Sequence, residues 1–236
     1  MASLDSVKLR NELAKGVIVQ NSGSDTPTAF KLDYIGTGTV TSVTVVTATA
    51  ITLITSDGGT DAYAFATYTT LGAVVDAINA DGIFEAKILD ALRADASVSR
   101  LLAAVITSEI DADLINTVWK VKLDTSTGLQ FAVCLSPRSQ FNAPLGHVVE
   151  IKELRYAVNM GTAAVDSVQV WKRKGSIETK IYSGLSVDTT DTTITWASGV
   201  GSITGGDNEE FIFLVKDAAT LADATTNYIQ IAGFIK

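Results

Sequence analysis

β-Branched residues alternate with small or polar residues in the first half of the chain, and this pattern predicts a meander of β-strands. Over residues 40–55 the alternation places Val43 and Val45 on one face and Thr44 and Val46 on the other, because successive side chains of a strand point to opposite sides. β-Branched side chains also fit a pleated surface well. The turn Asp57-Gly58-Gly59 and a returning strand over residues 62–66 complete the predicted meander.

A helix is predicted next, because four apolar residues follow at helical spacing. These residues are Leu71, Val74, Val75 and Ile78. Either Thr69 or Thr70 can cap the start of the helix, and Gly82 can end it with a left-handed backbone conformation.

The rest of the first half mixes strand and helix signals. Residues 84–89 alternate and predict a return to the sheet, and residues 90–104 are rich in Ala and Leu and predict a second helix. Residues 116–123 and 129–135 predict a final pair of strands joined by the polar turn 124–128. The whole pattern predicts an α+β domain.

The second half is predicted to be almost entirely β. Pro137 and Pro144 bracket a stretch that suits neither a helix nor a full strand ladder, which places a domain boundary near residue 141. Short strands separated by glycine turns favour an antiparallel sandwich or a jelly roll. The predicted strands are residues 147–158, 165–173, 178–182, 192–196, 210–215 and 228–234.

Three segments therefore organise the chain: an N-terminal arm and linker over residues 1–27, an α+β domain over 28–140, and a β-sandwich domain over 141–236. The arm carries apolar residues without a clean period and ends in a flexible linker composition. It could dock on another chain, or it could be a locally packed terminus. The candidate partner-docking residues of the arm are Leu4, Val7, Leu9 and Leu13.

Composition and net charge exclude some classes of function for this protein. Of the 236 residues, 47% are hydrophobic and only 19% are charged, so most of the chain has enough apolar material to form a packed core. The net charge of −8 argues against a nucleic-acid partner, because phosphate binding depends on Lys and Arg. No signal peptide and no membrane-spanning run is visible, so we expect the protein to fold in a cytoplasm.

The sequence contains no recognisable catalytic motif. The one histidine, His147, opens a predicted strand, and the one cysteine, Cys134, lies in an apolar run typical of a small buried residue. No Gly-x-Ser-x-Gly pentapeptide is present. The glycines of 36–38 and 199–205 lack the spacing of a phosphate loop and predict strand turns. We therefore expect no enzymatic activity and no cofactor.

Acidic pairs are the remaining candidates for chemistry. Asp57 with Asp61, or Asp111 with Asp113, could approach a calcium ion, although neither pair belongs to a full EF-hand loop, and solvated turn acids are the alternative. Carboxylate pairs for glycoside hydrolysis are nominal: Glu150 with Glu153, and Glu209 with Glu210. Neighbours on a strand face opposite sides, which favours salt-bridged or solvated roles for Glu209 and Glu210.

Large aromatic residues in the second half predict packing between sheets, with a sugar-binding platform as the alternative. They are Trp171, Trp196, Phe211 and Phe213.

Residues 34–95 resemble segments of structural proteins of tailed bacteriophages. The likeness is carried by Thr41-Ser-Val-Thr-Val, Ile51-Thr-Leu, the run from Thr69 to Asn79, and the run from Phe84 to Leu92. The likeness extends to composition, which is rich in Gly, Thr and Ala and poor in charge and Cys. The β-rich second half is likewise similar to the sandwich domains of capsid decoration or fibre proteins.

The resemblance implies a virion protein that is assembled in the host cytoplasm. We expect a capsid decoration or cement protein that works as a homo-oligomer and bridges subunits of the major capsid protein, without nucleic-acid or membrane partners. A tail, baseplate or fibre component that binds a receptor or carbohydrate is the alternative, and a carbohydrate-binding or hydrolytic domain using Trp171 or Trp196 is a third reading.

Overall fold

A computed structural model describes residues 17–20, 28–46, 48–110, 117–123, 129–135, 148–157, 168–184, 192–195, 202–204, 209–216 and 228–235. Numbered along the chain, its strands are β1 Val17–Gln20, β2 Thr28–Tyr34, β3 Val40–Val46, β4 Ala50–Thr55, β5 Gly59–Ala64, β6 Phe84–Ile88, β7 Ala104–Ile106, β8 Ser108–Ile110, β9 Thr117–Lys122, β10 Leu129–Leu135, β11 Val148–Ala157, β12 Val168–Lys174, β13 Ile177–Gly184, β14 Thr192–Thr195, β15 Ser202–Thr204, β16 Glu209–Lys216 and β17 Tyr228–Ile235. Its helices are α1 Leu71–Asp81 and α2 Ser97–Arg100.

The described residues are β-rich, as the sequence predicts, and their sheets are antiparallel. They form two compact units. Described residues within 26–129 make the first unit, and those before 26 and after 129 make the second. The predicted boundaries after residues 27 and 140 fall at segments 21–27 and 136–147, which lie outside the described residues.

Two four-stranded sheets build the first unit, in the orders β6-β2-β9-β8 and β5-β4-β3-β7. The predicted meander is confirmed, since β3, β4 and β5 are consecutive neighbours. Val43 and Val45 are buried and Val46 is exposed, so the predicted assignment of faces is confirmed as well. The core of this unit comes mainly from one face of each sheet and one side of α1, and Val118 is also buried, on the other face of the sheet β6-β2-β9-β8.

Helix α1 begins and ends where local signals predict. Thr70 is the N-cap, and its side-chain oxygen accepts a hydrogen bond from the Ala73 amide at 3.2 Å. Gly82 ends the helix with φ of 73°, a left-handed conformation that glycine adopts without a Cβ penalty. The four residues at helical spacing are all buried. The Asn79 side chain donates to the Ala86 carbonyl at 3.0 Å and accepts from the Ala86 amide at 2.7 Å, which joins the helix to the edge strand β6.

The prediction of a second helix over residues 90–104 is wrong. Only α2 is helical there, and β7 begins at Ala104. The reason lies at the start of α1, whose first amides lack partners within the helix. Carbonyls of the 90–104 segment supply those partners: Asp95 accepts from the Leu71 amide at 2.8 Å, and Arg93 accepts from the Gly72 amide at 2.9 Å. A helix over this segment would withdraw those carbonyls.

The predicted pairing of the strands around residues 116–123 and 129–135 is also wrong. Both strands exist, as β9 and β10. However, β9 pairs with β2 and β8, whereas β10 pairs with β16 in another sheet. A short polar connection is compatible with a hairpin, but the choice of partner depends on distant strands that sequence spacing does not reveal.

The second unit contains a sheet with the order β1-β17-β11-β14, to which β15 adds on β11, and a sheet with the order β10-β16-β12-β13. All six strands predicted after residue 141 are present. Within the predicted N-terminal arm, β1 pairs antiparallel with β17. The candidate docking residues of the arm lie outside the described residues: Leu4, Val7, Leu9 and Leu13.

Candidate functional site

One face of the sheet β6-β2-β9-β8 carries two adjacent rows of charged residues, which we call the charged face. Directly opposed residues of antiparallel strands project to the same side, so the strand registers place each row on one face. The basic row is Lys87, Lys31 and Lys120, and the acidic row is Glu85, Asp33, Val118 and Glu109.

Ion pairs join the two rows. Lys31 Nζ lies 2.9 Å from Asp33 Oδ2, and Lys120 Nζ lies 3.0 Å from Glu109 Oε2. The charged face therefore combines three ammonium groups with three carboxylates, and their formal charges cancel. The Asp33 and Glu85 carboxylates nevertheless stand directly opposite each other, an arrangement of like charges that destabilises a sheet.

A cavity of about 500 Å³ opens at this sheet, and we call it the Asp33 cavity. Asp33 Oδ1 is buried and receives no hydrogen bond from any described residue, although Oδ2 is paired with Lys31. Asp33 therefore has one oxygen paired with Lys31 and one buried oxygen without a donor among the described residues. The residues that line it are Lys31, Asp33, Tyr34, Ile35, Glu85, Thr117 and Trp119.

Aromatic contacts support the lining of the Asp33 cavity. The ring of Phe84 lies 5.4 Å from that of Tyr34 and 6.1 Å from that of Trp119, both in edge-to-face geometry. Such pairs are favourable beyond the area they bury. Phe84 is almost fully buried and so holds both aromatic residues against the core of the first unit.

Tyr34 also connects the Asp33 cavity to a polar turn. Its hydroxyl accepts from the Gly38 amide at 2.6 Å and donates to the Asp57 carboxylate. Asp57 Oδ2 further accepts from the amides of Thr37 and Gly38, at 2.8 and 3.0 Å. The Tyr34 hydrogen bond and these amides hold the pKa of Asp57 well below its usual range, against the opposing effect of desolvation. Desolvation, and then the hydrogen bond to Asp57, raises the pKa of Tyr34.

The turn also explains the glycines at 36–38, which sequence assigns to a strand turn. The backbone amides in this turn do bind an anion, but the anion is the carboxylate of Asp57 from the same unit. A Cβ at Gly36 would collide with that carboxylate, so glycine is required for the close approach.

The structure gives the proposed calcium pairs no support in the described residues. Asp57 is engaged with the turn amides. Asp111 and Asp113 lie outside the described residues. Across the part of the chain that is described, no three His, Cys, Asp or Glu side chains converge in a way that could hold a metal ion.

The acidic residues Glu209 and Glu210 form separate ion pairs, as the sequence indicates. Glu209 Oε1 lies 3.0 Å from Lys174 Nζ, at a partly exposed position. Glu210 Oε2 lies 3.0 Å from Arg173 Nη1, and both side chains are almost fully buried. Arg173 Nη2 also lies 2.9 Å from Glu178 Oε1 on the other neighbouring strand. Glu210, Arg173 and Glu178 therefore form a row across β16, β12 and β13, which we call the buried ion row.

The remaining candidates from the sequence are dispersed. Glu150 is fully buried on β11. Phe211 is buried in the core of the second unit, as predicted, whereas Trp171 is half-buried, donates from Nε1 to Gln169 Oε1 at 2.9 Å and has Lys180 Nζ 5.8 Å from its ring centre. His147 and Trp196 lie outside the described residues, and the side chains of Cys134, Glu153 and Phe213 are likewise not described.

The sheet β5-β4-β3-β7 has a face without any charged residue, which we call the charge-free face. Its central row runs across all four strands through Ala62, Thr52, Thr44 and Val105. Val105 is 74% exposed and Val46 is 47% exposed, so apolar groups are open at one side of this face. The whole face comprises Ser42, Thr44, Val46, Ala50, Thr52, Ile54, Thr60, Ala62, Ala64 and Val105.

Sequence reasoning did not find the Asp33 cavity. Lys31 and Asp33 are separated by one residue in β2, and this spacing does place them on one face of a strand. Glu85, however, stands beside Asp33 only through the pairing of β2 with β6, and Trp119, which is opposite Leu32 in β2, belongs to the other face of the sheet although it also lines the cavity. The alternation in β2 and β6 does indicate which residues of each strand share a face. It predicts that these residues meet only when the pairing of the two strands is known.

None of the helices in the described part of the chain combines the length and apolar character that a membrane crossing requires. No protein family, curated protein or solved structure matches this chain in the comparisons.

Proposed function

We propose that this chain is a structural protein of a tailed-bacteriophage virion, and specifically a capsid decoration or cement protein. In this role it is a homo-oligomer that bridges neighbouring subunits of the major capsid protein and stabilises the head after assembly in the host cytoplasm. The sequence resemblance suggests this class, and the function requires a docking surface in place of catalytic residues.

The charge-free face carries the proposal. The chain has a net charge of −8, so copies that approach one another, or a common lattice, meet least repulsion where no ionic group intervenes. Threonine, serine and alanine side chains can also pack against a partner without the cost of desolvating ions. Val105 and Val46 supply the apolar surface that such a contact buries.

The size of the charge-free face fits a repeated contact on a lattice. Four strands of about five residues cover roughly 300 Å² at ordinary strand spacing. A stable interface between two free proteins buries about 800 Å² per partner. Several such faces acting together reach high avidity through effective concentration, which is the situation of a decoration oligomer on a capsid.

The proposal includes a finer description of the fold. We propose that the two sheets of the second unit form an antiparallel sandwich or jelly-roll-like domain, and that the first unit is an α+β domain. The antiparallel sheets and helix α1 support this description. Because β1 is a strand of the second unit, the candidate docking residues of the predicted arm are those that precede it in the sequence: Leu4, Val7, Leu9 and Leu13.

The test uses purified capsids that lack the protein. The wild-type chain should bind these capsids and raise the temperature at which they release DNA. Thr52→Lys puts a charge at the centre of the charge-free face and should abolish both effects. Thr179→Lys is the matched control, because Thr179 is an exposed strand residue of the second unit. A wild-type chain that leaves capsids unaffected, or equal behaviour of the two variants, contradicts the proposal.

A tail, baseplate or fibre component that binds a host receptor is the second candidate function. The Asp33 cavity favours it, because a decoration protein needs no ligand-sized cavity with both carboxylate and ammonium groups. Labelled protein that coats host cells and does not bind capsids would support this second candidate over the first.

A further inference from the structure

We propose that two copies of this chain join through the outer edge of β5 into one continuous sheet. Strand β5 lies at the end of the sheet β5-β4-β3-β7, and among the described strands it pairs only with β4. The inference rests on the homo-oligomer of the proposed function and specifies the contact that forms it. The dimer itself requires no capsid.

The backbone of β5 directs every second residue away from β4. Opposed residues of an antiparallel ladder alternate between hydrogen-bonded and non-hydrogen-bonded pairs. The Phe65 amide donates to the Thr49 carbonyl at 2.9 Å, which fixes the phase of this alternation. The amides and carbonyls of Thr60, Ala62 and Ala64 therefore point outward from the sheet. All three residues are exposed.

Most of these outward groups have no partner in the described part of the chain. The Ala64 carbonyl accepts from the amides of Thr67 and Tyr68, at 3.0 and 2.9 Å. No described residue forms a hydrogen bond with the backbone of Thr60 or Ala62 on the outer side of β5, or with the Ala64 amide. This edge can thus pair with a further strand.

The other described edges of the first unit are short or blocked. Strands β7 and β8 have three residues each, and the Asn79 side chain occupies the edge of β6 through its two hydrogen bonds to Ala86. Strand β5 has six residues, pairs with β4 without a bulge, and contains neither Lys nor Pro. Proteins commonly protect a sheet edge with such features. Their absence from the longest edge of the unit indicates that a strand covers it.

A second copy fits this edge because β5 is complementary to itself. A two-fold axis at Ala62 pairs two β5 strands antiparallel, with Thr60 opposite Ala64 of the other copy. The two Ala62 residues then exchange two backbone hydrogen bonds, and each Ala64 amide donates to a Thr60 carbonyl. Asp61, the one charged residue of β5, lies opposite Tyr63. A register with Thr60 opposite Ala62 would place the two Asp61 carboxylates opposite each other, so repulsion selects the axis at Ala62.

The dimer also enlarges the charge-free face. Thr60, Ala62 and Ala64 belong to this face, and a two-fold axis perpendicular to the sheet keeps the faces of both copies on the same side. Eight strands in place of four extend the area from roughly 300 to roughly 600 Å² at ordinary strand spacing. A stable interface buries about 800 Å² per partner. The joined face therefore comes closer than a single copy to the area that firm docking on a lattice requires.

The experiment measures sedimentation velocity and backbone amide hydrogen exchange of the full-length protein at increasing protein concentration. A dimer should form, and the amides of Ala62 and Ala64 should exchange more slowly as it forms, because both then donate to the other copy. The amides of Asp61 and Tyr63 are the internal reference, since they bond to β4 in the monomer and in the dimer alike.

Two substitutions of Ala62 separate the β5 edge from other surfaces. Ala62→Lys places two ammonium groups opposite each other on the axis, and Ala62→Pro removes the outward amide while β5 keeps its hydrogen bonds to β4. Each should weaken the dimer about tenfold or more. Ala80→Lys is the matched control, because it makes the same change of charge at an exposed position of α1 and should leave the dimer unchanged. Ala62→Lys keeps the test decisive where Ala62→Pro impairs folding.

Three results would overturn the inference. The first is a protein that stays monomeric at every concentration. The second is a dimer in which the exchange of the Ala62 and Ala64 amides does not slow. The third is equal dimer affinity of Ala62→Lys and Ala80→Lys. Capsid stabilisation by the wild-type protein alongside any of these results would refute this contact and leave the proposed function standing. A β5 dimer that does not bind capsids would refute the proposed function alone.

Discussion

Arg173 lies directly opposite Glu210 across two paired strands, and its Nη1 donates to Glu210 Oε2 at 3.0 Å with both side chains almost fully buried. On the other side of Arg173, Nε and Nη2 approach Glu178 Oε1 at 3.0 and 2.9 Å. One guanidinium thus serves two carboxylates within the sheet β10-β16-β12-β13. The planar fork of arginine suits this arrangement better than the single ammonium of lysine would.

Replacing Arg173 should destabilise the second unit strongly. Arg173→Met removes the cation from the buried ion row and leaves two buried carboxylates without it, which costs about 3–5 kcal/mol in comparable cases. Urea denaturation followed by circular dichroism measures the loss. Lys174→Met is the matched control, because Lys174 is 72% exposed and its pair with Glu209 should contribute about 0–1 kcal/mol. Equal losses of unfolding free energy in the two variants would show that the buried ion row stabilises the fold no more than an exposed ion pair does.

Asn79 should protect the free edge of β6. Its amide group makes two hydrogen bonds to the backbone of Ala86, in the way that a further strand would. Asn79→Ala should therefore cost about 1–3 kcal/mol and speed hydrogen exchange at the Ala86 amide. Ala80→Ser, an exposed change on the same helix, should leave that exchange rate almost unchanged. Unaltered exchange at Ala86 in Asn79→Ala would refute this role.

Two adjacent threonines at the start of α1, Thr69 and Thr70, should contribute differently to the free energy of unfolding. Thr70→Ala removes the side-chain oxygen that accepts from the Ala73 amide, and should lower the free energy of unfolding by about 1 kcal/mol. Thr69→Ala should change it by less than about 0.5 kcal/mol, because Thr69 is exposed and is not the cap. Thermal or urea unfolding of both variants provides the comparison. A larger effect at Thr69 would place the cap one residue earlier.

Asp57 should make stability depend on acid pH. Its pKa is lowered in the folded protein, chiefly by the hydrogen bond from Tyr34, while the ordinary value is 3.8. The ionised carboxylate therefore stabilises the fold fully above pH 3.8, and this contribution is lost as pH falls through the folded pKa. The difference in melting temperature between wild type and Asp57→Asn should shrink as pH falls below 3.8.

The control for this pH effect is Asp61→Asn, since Asp61 accepts none of the hydrogen bonds that Asp57 receives from the 36–39 turn. Its difference from wild type should not follow the same pH profile. A difference between wild type and Asp57→Asn that stays constant across this range would contradict the assignment of Asp57 as the anion of the turn.

Helix α1 was predictable because its signals are local. The apolar spacing, the threonine cap and the terminal glycine all lie within one short stretch, and each acts on the backbone next to it. The segment that follows differs from its sequence prediction for the complementary reason. Residues 90–104 have the composition of a helix, but two of their carbonyls are required by the first amides of α1. Propensity is a weak preference, and a tertiary hydrogen-bond demand overrides it.

The Asp33 cavity and the buried ion row were not predictable to the same degree. Asp33 and Glu85, or Arg173 and Glu210, meet because particular strands pair in a particular register. A shift of one residue in either register would send one partner to the opposite face. Alternation within a strand identifies the residues of a face, but it says nothing about which strand lies beside it.

The sequence by itself determined most of the longer strands of the described chain, where α1 begins and ends, and which residues of the meander share a face, but it did not predict β1, β2, β7, β8 or β15. These properties follow from side-chain periodicity and from the backbone preferences of single residues, which act over a few positions. Only the tertiary structure decided that β10 joins β16, that β1 pairs with β17, and that lysine and carboxylate rows form one face. Those choices depend on closing long segments of chain and on burying surfaces that are far apart in sequence.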